Sequence, residues 1–170
     1  MTSVILLRGI NVGGHRKLPM QELCALLKGV GAQNPQHYIQ SGNIVMGGPC
    51  DEGKIADAIE EAKGFRPSIM CFTARAFQTI AADMPFDEPI GKLVHIWFTN
   101  QPFSFDYTKA DALIDPTETL HIKKDAIYLY APNGIGRSKL AEKIESLAGV
   151  PCTARNMNTV NRLVEMLAAR

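Results

Sequence analysis

The residues of this chain best suited to chemistry fall in two early stretches and one late one. Leu6-Leu7-Arg8-Gly9-Ile10-Asn11-Val12-Gly13-Gly14-His15-Arg16-Lys17 is an apolar run that admits one arginine and then opens into a basic, glycine-rich loop. Ser41-Gly42-Asn43 adds a hydroxyl, a glycine and an amide, and Arg155-Asn156-Met157-Asn158 adds an arginine and two amides near the other end. Backbone N–H groups of Gly13, Gly14 and Gly42, side-chain donors of Asn11, Ser41 and Asn43, and the cations His15, Arg16 and Lys17 suit an anion. Placed before a helix N-terminus, which is itself electropositive, such groups would hold a phosphate or a carboxylate. The loop is not a Walker loop, because no Gly-Lys-Ser/Thr follows, nor a G-x-G-x-x-G fingerprint. Glycines between a strand and a helix are also ordinary punctuation, so composition alone leaves both readings open.

Arg8 weighs toward a site. It alternates with Val4, Leu6 and Ile10, which places it on a sheet face, where a guanidinium needs a carboxylate, a phosphate or carbonyls. A salt bridge between lobes and a ligand contact serve that need equally well. At 153–161 the amides and threonines also suit helix capping, which accounts for one amide and leaves the others for a second half-site. Catalytic templates fail: no acid is spaced to orient His15 or His37 toward Ser41, and His15, His37, His95 and His121 never fall at metal-ligand spacing. No metal and no cofactor are expected.

These residues must be positioned by regular elements. Residues 3–10 carry aliphatics on both faces, as a central strand does. Met20, Leu23, Cys24, Leu27 and Val30 keep helical spacing between Pro19 and Gly31. Residues 37–40 and 44–46 are extended runs joined by a three-residue turn with glycine, hence a hairpin. Asp51 and Glu52 open a second helix with Ile55, Ile59 and Ala62 inward, stopped at Gly64. Residues 67–73 return as a strand and 74–82 as a helix with Phe77, Ile80 and Ala81 inward.

Two prolines, a glycine and three acids at 83–91 read as a linker. Beyond it the order repeats: strand 93–99, helix 107–114, hairpin 118–122 and 126–130, helix 138–148, strand 151–153, helix 156–168. Thr73-Ala74-Arg75-Ala76-Phe77-Gln78-Thr79-Ile80 aligns with Thr153-Ala154-Arg155-Asn156-Met157-Asn158-Thr159-Val160, which suggests an internal duplication. The expected fold is therefore α/β (α+β): two tandem ferredoxin-like β-α-β-β-α-β lobes with antiparallel sheets, each followed by an extra helix. Their segments are 1–83 and 93–170, with 84–92 between. In such a lobe the crossover sets the first two strands parallel, so residues 11–17 and 41–43 leave the sheet at the same end.

Composition narrows the function classes. Eighteen Lys plus Arg against seventeen Asp plus Glu leave a net charge of +1, so no global field draws nucleic acid or anionic membrane. The apolar run 4–7 is too short for a signal peptide, and no later stretch is long enough to span a bilayer, which points to the cytoplasm. Cys24, Cys50, Cys71 and Cys152 form no C-x-x-C pair, and the expectation is four buried thiols rather than a disulfide framework.

The motifs L-L-R-G-I-N-V-G-G-H at 6–15, K-L-P-M-x-E-L at 17–23, Y-I-Q-S-G-N-I-V at 38–45 and T-A-R-N-M-N-T-V at 153–160 resemble the domain of unknown function 1697 family. The resemblance implies a mostly bacterial α/β protein with two ferredoxin-like halves and no assigned activity. Its signature positions fall here on Arg8, Gly9, Asn11, Gly13, Gly14, Ser41, Gly42, Asn43, Arg155, Asn156, Asn158 and Thr159. Two positions depart from it: Met157 stands where tryptophan is usual, and Met84-Pro85-Phe86 where Asn-Pro-Phe is common.

The leading expectation is a small phosphate- or carboxylate-bearing ligand held by Arg8, Asn11, Gly13, Gly14, His15, Lys17, Ser41, Gly42, Asn43, Arg155, Asn156 and Asn158. Whether that ligand is turned over is left open. Two alternatives stand beside it. A nucleic-acid module is disfavoured because residues 4–10 and 44–46 lack stacking aromatics, and in a structural protein without a ligand Arg8 and Arg155 would be internal ties. No membrane partner is expected, and the oligomeric state is not specified.

Overall fold

A computed structural model describes residues 1–87 and 91–170; of the expected linker, 88–90 lie outside the described residues. The first strand, β1 (Thr2–Arg8), carries Val4, Ile5, Leu6 and Leu7 fully buried, which only a central strand covered on both faces achieves. Gly9 at φ 72° ends it. Helix α1 (Met20–Gly29) buries Met20, Leu23 and Leu27, with Pro19 just before it. The hairpin strands are β2 (Gln33–Tyr38) and β3 (Asn43–Gly47).

β2 starts four residues before the expected run at 37. Its register shifts between Gln33 and Gln36, around Pro35, and a proline and a bulge are tolerated because β2 is an edge strand. Helix α2 (Glu52–Lys63) opens where the Asp51 carboxylate accepts the Lys54 N–H at 3.0 Å and closes on Gly64 at φ 78°. Its inward stripe is Ile55, Ala56 and Ile59; Ala62, expected inward, is exposed. Strand β4 (Ser68–Thr73) and helix α3 (Ala74–Ala82) follow.

The second series is β5 (Val94–Phe98), α4 (Tyr107–Leu113), β6 (Thr119–Ile122), β7 (Ala126–Tyr130), α5 (Ile144–Ala148), β8 (Thr153–Asn156) and α6 (Met157–Ala168). The helix expected over 138–148 is shorter. A 3-10 turn at Ala141–Lys143 precedes α5, because the Ser138 hydroxyl takes the Ala141 N–H and the Leu140 carbonyl takes that of Lys143. The strand expected at 151–153 instead begins at Thr153 and runs to Asn156.

Both sheets have four strands and every pairing is antiparallel, in the orders β2-β3-β1-β4 and β6-β7-β5-β8. This is the ferredoxin-like arrangement twice over. One face of the first sheet packs Ile5, Leu7, Ile44 and Ile69 against Leu23, Leu27, Ile55 and Ile59 of its helices. The second packs Trp97, Ile127 and Leu129 against Ile144 and Leu147. Each such side chain contributes about 1.5–3 kcal/mol on burial.

The chain divides into two compact units, Met1–Thr79 with Arg162–Arg170, and Ile80–Asn161. The expected segment 93–170 is thus not continuous: the last residues of α6 and the C-terminus group with the first unit. There the Arg170 guanidinium donates to the carbonyls of Asn34 and Val45.

A second correction concerns the cysteines. Cys50, just before α2, and Cys71 in β4 form a disulfide, with Cα atoms 6.1 Å apart, while Cys24 and Cys152 are thiols. A separation of 21 residues carries no local signature, and the pair is made by the strand and helix order.

Candidate functional site

The loop after β1 is a miniature hairpin rather than a glycine cradle. The His15 N–H donates to the Val12 carbonyl at 3.0 Å and the Asn11 N–H to the Arg16 carbonyl at 3.1 Å, so 11–16 folds back on itself. Gly13 and Gly14, at φ 58° and 76°, are the two central residues of its tip, the pattern of a type I′ turn. Both glycines are thus explained by turn geometry.

Asn11 holds the base. Its Nδ2 donates to the carbonyls of Leu18 (2.9 Å) and Gln40 (2.8 Å), and its Oδ1 accepts the Leu18 N–H at 2.8 Å. Both amide N–H groups and the carbonyl are therefore occupied. The result ties together the hairpin, the entry to α1 and the β2–β3 turn, which realises the convergence that the strand order requires.

Gly42 and Asn43 complete the frame. The Leu7 N–H donates to the Gly42 carbonyl at 2.8 Å, and a Cβ on Gly42 would stand 2.6 Å from the Leu7 Cβ. No side chain fits there. Asn43 is fully buried, its Nδ2 donating to the Tyr38 carbonyl at 3.0 Å and to the Ser41 hydroxyl at 2.9 Å.

The structure therefore brings Asn11, Gly13, Gly14, Ser41, Gly42 and Asn43 to one end of the first sheet and engages each of them in shaping that end, the exposed Ser41 by accepting from Asn43. Around them Arg8, His15, Arg16 and Lys17 are exposed. For Arg8 this corrects the expectation of a buried face position. Pairing of β1 with β3 stops at Leu6, and Arg8, opposite Ser68, lies beyond the covered part of the sheet. The Arg16 guanidinium lies 6.0 Å from the centre of the Phe65 ring. His15, Arg16 and Lys17 form no ion pair among the described residues. Val12, 66% exposed, and Ile39, 48% exposed, flank them.

The late candidates belong to the second unit. Arg155, in β8 opposite Ile96, is half-buried and donates to the Thr153 hydroxyl at 2.9 Å and the Ala154 carbonyl at 2.8 Å. Loss of hydration pulls its guanidinium down to about 10. Asn156 caps α6, its Oδ1 accepting the Thr159 N–H at 3.0 Å, and Asn158 packs so closely on Gly91 that a Cβ there would overlap its Oδ1. Both amides do structural work.

Sequence reasoning passed over a polar pocket of about 250 Å³ in the second unit, lined among others by Asp115, Thr117, Glu118, Asn133, Arg137 and Ser138. The Ser138 hydroxyl donates to Glu118 Oε2 at 2.5 Å, and the Thr117 hydroxyl and N–H both donate to Asp115, holding that carboxyl below its usual range. The available signal was Asn133-Gly134-Ile135-Gly136-Arg137-Ser138, a glycine-rich turn ending in Arg-Ser. Among the described residues no three His, Cys, Asp or Glu side chains gather as a metal site, and no helix is long and apolar enough to cross a membrane.

No curated protein matches the sequence. Among solved structures the chain is similar to a conserved bacterial protein from Streptococcus pneumoniae, at 23% identity and a TM-score of 0.69, over 98% of both chains. That likeness shows the fold. The family model described as Protein of unknown function (DUF1697) matches residues 1–128, which takes in the hairpin and turn motifs and stops short of Thr153. By that match over most of its length, the chain belongs to the DUF1697 family.

Proposed function

We propose that the protein binds a multiply charged anionic group, phosphate or carboxylate, on the basic hairpin at the end of its first sheet. The observation that carries this reading is the run His15-Arg16-Lys17, exposed, without acid partners among the described residues, and held on a clamped hairpin. Single exposed charge pairs are worth only about 0–1 kcal/mol each. The reading therefore favours a ligand that engages several cations together, such as a di- or triphosphate. The clamp lowers the entropic cost of presenting them. Asn11, Gly42 and Asn43 act as supports for the binding residues.

The sheet faces are poor platforms for RNA, since Val4, Leu6 and Val45 on one side of the first sheet and Ile5 and Ile44 on the other are all buried. The same reading places the protein in a bacterial cell, supported by the bacterial origin of its structural neighbour.

A thermal-shift panel of inorganic phosphate, nucleoside triphosphates, sugar phosphates and dicarboxylates tests it, comparing wild type with Arg16→Ala/Lys17→Ala. Saturation at a hundred times Kd adds about 2.7 kcal/mol and raises Tm by several degrees. That rise should appear for at least one polyanion in the wild type, shrink with added salt, and be lost in the double variant. Equal shifts in both proteins, or none in either, would sink the proposal.

A further inference from the structure

We propose that Cys50 and Cys71 are a reversible thiol–disulfide site that exchanges with low-molecular-weight disulfides such as oxidised glutathione, with Cys50 the attacking thiol. Three observations carry this. First, the two cysteines are bonded to each other, and neither residue is fully buried, although both pack against the core of the first unit. Second, Cys50 lies in the connection between β3 and α2, outside the sheet, so its sulfur can turn toward a reagent without disturbing a strand ladder. Cys71 instead sits within β4, opposite Ile5 of the central strand.

Third, the same two elements are joined independently of sulfur. The Cys71 N–H donates to Glu52 Oε1, in the first turn of α2, at 2.8 Å, and Ile55 and Ile59 anchor that helix in the core. Opening the bond therefore leaves the two thiols facing each other, ready to close again. A bridge that alone held its elements would behave otherwise.

The exchange balances as follows. The Cys50 thiolate attacks one sulfur of glutathione disulfide, forming a mixed disulfide and releasing one glutathione thiolate. The Cys71 thiolate then attacks the Cys50 sulfur and releases the second. Two protein thiols lose two protons and two electrons, and one glutathione disulfide becomes two glutathiones.

The test uses the intact chain, reduced with dithiothreitol, desalted, exposed to glutathione buffers, quenched with iodoacetamide and mapped by mass spectrometry. In excess oxidised glutathione a linked peptide pair joining positions 50 and 71 should form, while Cys24 and Cys152 alkylate. Excess reduced glutathione should open the link with the far-ultraviolet circular dichroism unchanged. Cys71→Ser should take up glutathione at Cys50 at least about tenfold faster than Cys50→Ser does at Cys71, reflecting easier approach to a connection than to a strand paired with β1. Should either variant fail to fold, limiting oxidised glutathione on the wild type serves, with the trapped adduct expected on Cys50. The proposal is overturned by an absent link in excess oxidant, by a link that persists in excess reductant, by loss of the fold on opening, or by preferential attack from Cys71.

Discussion

The two strand-to-helix junctions that share Thr-Ala-Arg are built differently. At the first, the Thr73 hydroxyl accepts the Ala76 N–H at 3.1 Å, so β4 ends on the threonine and α3 begins at once, with Arg75 exposed on the helix. At the second, the Thr153 hydroxyl is buried and occupied by the Arg155 guanidinium. With its threonine engaged, β8 runs three residues further along β5, to Asn156, which then caps α6. The structural counterpart of Thr73 is thus Asn156 and not Thr153. Consistent with that register, Thr73 pairs with Ser3 of β1 and Asn156 with His95 of β5. One hydroxyl choosing between a backbone N–H and a guanidinium moves a helix start by almost a turn.

The contrast between the units extends to their hairpin turns, where the largest effect is expected. Gly42 lies against Leu7 of the central strand, whereas Lys124 in the β6–β7 turn is exposed. Gly42→Ala combines a clash with a left-handed backbone at φ 86°, and should cost about 3 kcal/mol in urea unfolding. Lys124→Ala should stay within about 0.5 kcal/mol. Equal costs would show that the first turn is not wedged against its sheet.

Next comes the arginine pair. Arg155→Ala removes charge-assisted hydrogen bonds in a half-buried position and should cost about 2 kcal/mol, against less than about 0.5 kcal/mol for Arg75→Ala. Similar values for the two would break the account of the junctions given above. The caps follow, since Thr73→Ala and Asn156→Ala should each cost about 1 kcal/mol. Thr153→Ala should leave hydrogen exchange at the Thr159 amide unchanged, while Asn156→Ala speeds it. Faster exchange in the Thr153 variant would restore Thr153 as the cap.

The smallest effect lies at the strand partners of the caps, Ser3 and His95. His95 is partly buried, its Nδ1 has no hydrogen-bond partner among the described residues, and burial holds its pKa below 6.5. Between 6.5 and the lower folded value the unfolded chain binds the proton more readily, so stability present above pH 6.5 declines as pH falls through that window. His95→Gln should flatten the slope in denaturation series between pH 7.5 and 5. An unchanged slope would assign it to other groups.

The cysteines sharpen the comparison once more. In each unit a glutamate accepts the N–H of a cysteine beside or within the last sheet strand, Glu52 that of Cys71 and Glu145 that of Cys152. Only the first unit adds a second sulfur, and Cys152 is a buried thiol.

Much of this molecule was legible in its sequence. Aliphatic runs on both faces announced the central strand, i, i+3, i+4 spacing announced α1 and α6, and the order of elements announced two antiparallel sheets and the meeting of 11–17 with 41–43. Those features depend on periodicity and chain direction, which are local or topological. Pairing partners are neither. That Asn11 spends its amide on Leu18 and Gln40, that Arg8 clears the covered part of its strand, that Thr153 is taken by Arg155, and that Cys50 meets Cys71 were decided by sheet register and helix docking. The sequence by itself thus determined which segments form elements and which end of the first sheet carries the basic hairpin. The tertiary structure alone decided which polar groups there are consumed in holding it, because a side chain's hydrogen bonds depend on neighbours brought in from up to 29 residues away.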